Sequence, residues 1–514
     1  MAHKYARRTV ARLITRHPAS AEDIASVFDV LSHPRDDVVA EQIESSTGDV
    51  AVFSAVHGPF RSYRRTVTRA ADQVVEQFDY DLAIPYLSWL YALPIRHQLR
   101  RRPPNGEEFE QPWWAPPDRL DARASTVLAL LAVASLTVGY LNTLLTQTVT
   151  FAADEFGSSD GAQTRALAVV RVGIVIALVV VSMADRRGRR SVLLATATAA
   201  PIFSALGALA PNLAWLTASQ AVGRPLALSL DMIIVIIATE EMPKGCRAHA
   251  LSLLALSTGF GAGLCVMTLT LADIGARGWR LSYVFPLVFL FLVRPLARQL
   301  TESKRFVAPH ATEARMRDHL GRFALLAACG LFINLLIAPA SGLQNDYLKD
   351  VRGYSGSLVA LFTLTTQTPA GIGVLLGGEL ADRYGRRRVG AVALAFGSIL
   401  SALTFTVGGW QLWLVSLCGA MIAGAAVPAL GVYQTELFPT ALRGRAKAGI
   451  IVVTLVGSTI GLLVAGAARD SGVSFGRIMT ILAIGPVLVA MVVWLFYPET
   501  AHTELEELNP EDAL

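Results

Sequence analysis

Between about residue 126 and residue 497 the chain carries twelve apolar stretches of roughly 20 residues, the length at which an α-helix crosses a hydrocarbon core. They run approximately 126–147, 163–184, 191–210, 213–238, 250–272, 281–297, 322–343, 357–381, 389–409, 411–435, 447–468 and 477–497. Lipid offers no partner to an unbonded peptide group, so such stretches must be helical. The expected fold is an all-α membrane protein of twelve transmembrane helices. Composition agrees, with 53% hydrophobic residues, 17% charged residues and a mean hydropathy of +0.47 over 514 residues. Cys246, Cys265, Cys329 and Cys418 lie in or beside apolar blocks without paired or metal-ligand spacing, which excludes a disulfide scaffold and implies no metal. Residues 1–16 are basic but lack the apolar core of a cleavable signal peptide.

An even number of spans puts both termini on one side. The loops after even-numbered spans carry the cations: Arg186, Arg187, Arg189 and Arg190, then Lys244 and Arg247, Lys304 and Arg305, Arg383 to Arg388, and Arg443, Arg445 and Lys447. The loops after odd-numbered spans are poorer in positive charge, and the first holds Asp154, Glu155 and Asp160. Both termini are therefore expected in the cytoplasm of a plasma membrane, a bacterial inner membrane. The net charge of +5 is accounted for by these loops, and no nucleic-acid partner is implied.

The cationic loops repeat. Asp185-Arg186-Arg187-Gly188-Arg189-Arg190 after span two returns 197 positions later as Asp382-Arg383-Tyr384-Gly385-Arg386-Arg387 after span eight. Glu240-x-x-Pro243-x-x-x-Arg247 returns as Glu436-x-x-Pro439-x-x-x-Arg443, and Thr301-Glu302-Ser303 as Pro498-Glu499-Thr500. Chance recurrence of arginine does not supply the shared Asp, Gly, Glu and Pro, so the chain divides into two six-helix halves, 123–300 and 322–497, joined by a linker at 301–321 and followed by a tail at 498–514.

Asp-Arg-x-Gly-Arg-Arg between the second and third helices of each half resembles the signature of the major facilitator superfamily. The Glu-x6-Arg pairs, with Glu302 and Glu499, resemble more narrowly its sugar-porter and metabolite–proton symporter branch, over about residues 125 to 508. The resemblance implies a cytoplasmic charge network that locks the halves together when the site opens outward. Asp185, Arg186, Gly188, Arg189, Arg190, Glu240, Arg247, Glu302, Asp382, Arg383, Gly385, Arg386, Arg387, Glu436, Arg443 and Glu499 would form that gate.

Where the branch writes hexose recognition, the match fails. Its fifth-helix Gln-Leu-x-x-Thr-x-Gly becomes Leu253, Leu254 and Ser257 before Gly259. The tenth-helix Trp becomes Gly431, and the seventh-helix glutamines are missing before Ser341-Gly342. A polyol needs many directed hydrogen bonds in a dry site, so a hexose is not expected. The first-helix Gly-Tyr-Asp of proton-coupled members is Gly139-Tyr140-Leu141-Asn142 here, so any proton carrier lies elsewhere, and Asp231 inside span four is the candidate.

Three ionisable residues fall inside spans: Arg171 in span two, and Arg224 and Asp231 in span four. At 1.5 Å per residue the arginines sit roughly 14 and 16 Å deep, near the middle of a ~30 Å core. Such charges are functional candidates, although Arg224 can also tie helices together, Arg171 can snorkel, and Asp231 can form a permanent ion pair with either. The second half has no counterpart. A net positive cavity suggests an organic anion, with Asn142, Asn334, Thr365, Gln367 and Tyr433 as weakly polar wall residues that packing alone could also explain.

Residues 1–122 form an extension in which 21–31, capped by Ser20, reads as a helix, and 49–57, 61–69 and 73–80 read as strands. A helix from about Leu82 to Arg101 follows. A small α+β unit is expected, with a faint resemblance to the polyketide-cyclase and lipid-transfer superfamily. Leu82 to Ile95 is uncharged, and with Trp113 and Trp114 it is expected either to lie against the inner leaflet or to pack on its own sheet. His3, His17, His33, His57 and His97 are scattered, and no enzyme active site or cofactor is implied. The expected function is secondary active transport of a small organic solute by alternating access, as proton-coupled import. Export of drugs or metabolites is one alternative, although span five lacks the proline of the antiporter motif. A membrane sensor signalling through the extension is the other.

Overall fold

The computed structural model describes residues 11–18, 23–101, 112, 115–116, 119–243, 246–300, 316–431, 433–438 and 443–500. Among these, eleven helices are long and apolar enough to cross a membrane: Ala122–Phe156, Asp160–Ala184, Arg189–Leu209, Leu213–Ala238, His249–Ile274 and Arg280–Gln299 in the first half, and Leu320–Gly342, Gly356–Gly378, Gly409–Gly431, Gly449–Asp470 and Phe475–Phe496 in the second. The remaining expected span, the ninth, is the 18-residue helix Arg386–Leu403, whose first three residues are arginines; it packs against spans ten and twelve. Short polar residues start the helices. Asp121 accepts from the Ala124 amide at 2.6 Å, Asn212 from Trp215 at 2.9 Å and Ser355 from Leu358 at 3.3 Å, each satisfying an amide that the helix leaves open.

Within each half the helices meet backbone to backbone. A Cβ at Gly139 of span one would collide with the Thr258 carbonyl of span five, and one at Gly261 with the Leu136 carbonyl. The second half repeats this between spans seven and eleven, where Gly457 and Gly461 lie on the Leu331 and Leu335 carbonyls. Gly373 and Gly377 seat span eight on Met421 and Ala425 of span ten, as Gly173 seats span two on Ala221 and Pro225 of span four. Lipid is as apolar as leucine, so close van der Waals contact through small residues has to supply the attraction.

The extension folds as β1 (Ala11–Pro18), α1 (Ile24–Leu31), β2 (Ala40–Thr47), β3 (Val50–His57), β4 (Phe60–Arg69), β5 (Gln73–Leu82) and α2 (Ser88–Arg100), with an antiparallel sheet ordered β1-β5-β4-β3-β2. The three expected strands are present; β1 and β2 are additional and form the sheet edges. The expected helix from Leu82 begins only at Ser88, because Leu82 still pairs with Phe60 in the sheet. Ser20, Trp113 and Trp114 lie outside the described residues. One face of the sheet holds an ionic core: buried Arg65 bonds Glu41 at 2.6 Å and Glu76 at 3.0 Å, and the Tyr63 hydroxyl donates to Glu41 at 2.5 Å. The domain sits on the membrane helices through Thr126, which donates to the Ala83 carbonyl at 2.9 Å, and through Tyr86 stacked edge-on to Phe291.

A Gly261→Leu variant has to push span five off span one, and the overpacking cost of about 1–3 kcal/mol should lower the thermal unfolding midpoint in detergent by several degrees. Gly259, two residues away, faces open space, and Gly259→Ala should leave the midpoint unchanged or raise it.

Candidate functional site

Spans two and four meet at Gly173. That residue ends the first segment of span two, Asp160–Val172, and packs on Pro225 and Ala221. Arg171 lies two residues before Gly173 and Arg224 immediately before Pro225, so the contact brings the two arginines to one level of the first half. Arg171 Nε and Arg224 Nη1 are both buried without a hydrogen-bond partner. Asp231, two turns beyond Arg224, is half-buried, and among the described residues it forms no ion pair with either arginine. The permanent pair considered from sequence is therefore not formed. Two guanidinium groups thus stand in the middle of the first half with open donors.

The weakly polar candidates divide. Asn142 Oδ1 is buried without a partner. Asn334 instead ties span seven to span eleven, accepting from Ser458 at 3.2 Å while its amide donates to the Gly330 carbonyl at 3.1 Å. Thr365 donates to the Leu361 carbonyl of its own helix, and Gln367 is exposed where span eight breaks before Pro369. Tyr433, expected on the substrate path, is fully buried at the face that carries the arginine motifs; it donates to the Pro498 carbonyl at 2.9 Å and packs edge-on to Tyr497. These contacts tie it to the end of span twelve.

At that motif face the two halves use one local design. Gly188 (φ 92°, ψ 140°) and Gly385 (φ 98°, ψ 135°) make the same left-handed turn, which side-chain-bearing residues avoid. Arg189 pairs with Glu240, and Arg190 donates to the Leu300 carbonyl at 2.7 Å and the Ala297 carbonyl at 2.5 Å. In the second half, the Glu499 carboxylate caps span nine, accepting from the Arg386 amide at 2.8 Å and the Arg387 amide at 3.3 Å. Arg386 also donates to Thr500 at 3.2 Å, and Arg383 is exposed. Each of these pairs joins elements of one half. The side chains of Asp185, Arg186, Arg247, Asp382, Glu436 and Arg443, and the whole of Glu302, lie outside the described residues.

The opposite face carries contacts that sequence reading did not anticipate, and these do cross between halves. Asp160 bonds Arg469 at 2.9 Å, Lys349 pairs with Asp154, and Asp470 accepts from the Gly161 amide at 2.9 Å. Asn345 donates to the Gln147 carbonyl at 2.8 Å, and Asp273 accepts from the Gly356 and Ser357 amides at 2.6 and 2.8 Å. At the centre of this seal, just beyond the end of span seven, Asp346 is fully buried beside the Gln163 side-chain amide, whose nitrogen, in the orientation that satisfies both groups, donates to its two oxygens at 2.9 and 3.1 Å. Burial pushes the Asp346 carboxyl up to about 8, helped by Asp160 and Asp350 and opposed by Arg469. The available signal was a set of acids in the first loop facing Lys349 and Arg469 in later loops on the same side.

Residues 320–512 match the family model described as Major Facilitator Superfamily. The chain is 28% identical over 277 residues, 48% of this chain and 65% of the relative, to a cis,cis-muconate transport protein of Acinetobacter baylyi. It is 28% identical over 36% of its length to 42% of an arabinose-proton symporter of Bacillus subtilis. These matches thus span less than two thirds of either relative. An inward-open xylose transporter from E. coli superposes with a TM-score of 0.61 at 19% identity, covering 76% of this chain and 99% of that one, which is a likeness of fold. The second half of the chain thus matches the Major Facilitator Superfamily model, and the membrane region as a whole shares its fold with that xylose transporter.

Proposed function

We propose that the chain is a secondary active transporter that carries a small organic carboxylate across a bacterial plasma membrane by alternating access, driven inward by protons, with the motif face and both termini in the cytoplasm. The observation that carries this reading is the pair Arg171 and Arg224, half-buried in spans two and four, each with a buried donor left open and, among the described residues, neither in an ion pair with a carboxylate. An unpaired guanidinium in a low-dielectric interior costs several kcal/mol, and a carboxylate substrate accepting from both forks would offset it. A neutral sugar would leave the charge uncompensated. The cis,cis-muconate protein among the relatives supports an acid over a sugar. The inter-half seal at the opposite face supports an inward-open state, in which the motif residues pair within their own halves.

Two carboxylates can couple this cycle to protons. Asp231 stands half-buried two turns beyond Arg224, and Asp346 stands inside the seal. Acting on Asp346 are Asp160 on span two, Asp350 on its own segment and Arg469 on span eleven, and the same seal holds the pairs of Lys349 with Asp154 and Arg165 with Asp470. Opening would hydrate Asp346 and return it to the ordinary carboxylate range near ~3.9, so the sealed state holds the extra proton. The raised carboxyl means that sealing is most favoured at low pH. It weakens as pH rises from the ordinary value towards about 8 and changes no further above that.

In proteoliposomes, labelled cis,cis-muconate or benzoate should enter saturably, and Arg171→Gln or Arg224→Gln should each lower kcat/KM at least ~30-fold, the loss of about 2 kcal/mol or more expected for an unpaired buried partner. Saturable arabinose or xylose uptake without acid uptake would contradict the assignment. Spin labels at Ser158→Cys and Ser471→Cys, one on each half of the sealed face, should show more of the short distance at pH 6 than at pH 9, and Asp346→Asn should abolish that difference. Asp231→Asn should separately abolish pH-gradient-driven accumulation; if it does not, the proton travels by Asp346 alone.

A further inference from the structure

A cavity of about 430 Å³ lies between the N-terminal domain and the membrane helices, within the range of sites that hold a small molecule. The domain contributes Val38, Ile84, Leu87 and Ile95; span one contributes Leu128 and Ala132; span five contributes Leu253, Leu256 and Phe260. Leu256 and Phe260 point away from the bundle, 56% and 65% exposed, so the cavity opens sideways where lipid surrounds the helices. Helix α2 divides its residues accordingly. Ile95 and Leu99 are buried on the sheet, while Trp89 and Leu93 are 72% and 74% exposed, with Leu90 beside them. The expected packing on its own sheet is thus made by one face of the helix, and the other face is exposed.

A second hollow, of about 530 Å³, shares Ile84 and Trp89 with the first and continues round the start of α2 to Gln299 at the end of span six. Among the described residues its lining is polar and includes Arg61, Arg96 and Asp81. An apolar compartment open to the bilayer and an adjoining cationic one, joined at an exposed tryptophan, match a molecule with acyl chains and an anionic head.

We propose that this two-part hollow holds one anionic phospholipid from the leaflet on the motif face, with an acyl chain between the domain and spans one and five and the phosphate against Arg61 and Arg96. The bound lipid ties the N-terminal domain to the membrane surface. None of this depends on what the protein transports.

The test is native mass spectrometry of the full chain, delipidated in detergent and titrated with phosphatidylglycerol or phosphatidylcholine. One phosphatidylglycerol should survive activation that strips other lipids, at least fivefold in excess of phosphatidylcholine. Arg61→Gln combined with Arg96→Gln, or Ala132→Trp filling the cavity, should reduce its retention at least fivefold. A second measurement is quenching by dibromo-phosphatidylglycerol in vesicles, which should be larger for the wild type than for Trp89→Phe. Equal retention of the two lipids, unchanged retention in the variants, or quenching that is the same with and without Trp89 would each overturn the proposal.

Discussion

Backbone-to-backbone packing inside each six-helix half is the contact on which everything else in this protein depends. Gly139 and Gly261 join spans one and five, and Gly457 and Gly461 join spans seven and eleven; at each, a single methyl group would strike a carbonyl. Such contacts are dense and close to all-or-none, so each half moves as a body. The halves meet differently. On the sealed face they touch through Asp160 and Arg469, Asp154 and Lys349, and Asp273 with two amides. Polar side chains at a face that water can reach are separable at modest cost, because water can replace each partner. Rigid halves with a polar, replaceable seal are the material of a rocking mechanism.

Charge inside the protein is then sorted by what it costs. The motif arginines lie at a membrane face and are satisfied by carboxylates and helix-end carbonyls. Arg65 of the N-terminal domain is deeply buried but fully engaged by Glu41 and Glu76. Arg171 and Arg224 are different: each lies within a span and has a buried donor atom left open. Such an arrangement costs stability, and among the described residues no arginine of the second half has a buried donor left open.

The membrane fold was legible because its signals are local. A run of 20 apolar residues declares itself, and the duplicated Asp-Arg-x-Gly-Arg-Arg declared the two halves; the left-handed Gly188 and Gly385 explain why glycine sits in both copies. The strands β3, β4 and β5 were readable from alternation, being central or nearly so. The missed strands, β1 and β2, are the two edges, where only part of one face is covered; β2, Ala40–Thr47, keeps most of its side chains in water and so lacks an apolar pattern. The seal was illegible for a further reason: Asp160 and Arg469 are 309 residues apart, and an exposed loop acid carries no mark of its partner. Asn334 and Tyr433 looked like binding residues by type alone, yet their environments turned them to joining helices.

The central claim, that the sealed face must part for the protein to work, is tested most directly by fixing it shut. Asp154→Cys and Lys349→Cys place two thiols across the halves where the wild-type side chains pair. Oxidising this variant in proteoliposomes should stop uptake of labelled carboxylate, and reduction should restore it. Full cross-linking with unchanged uptake would contradict the account.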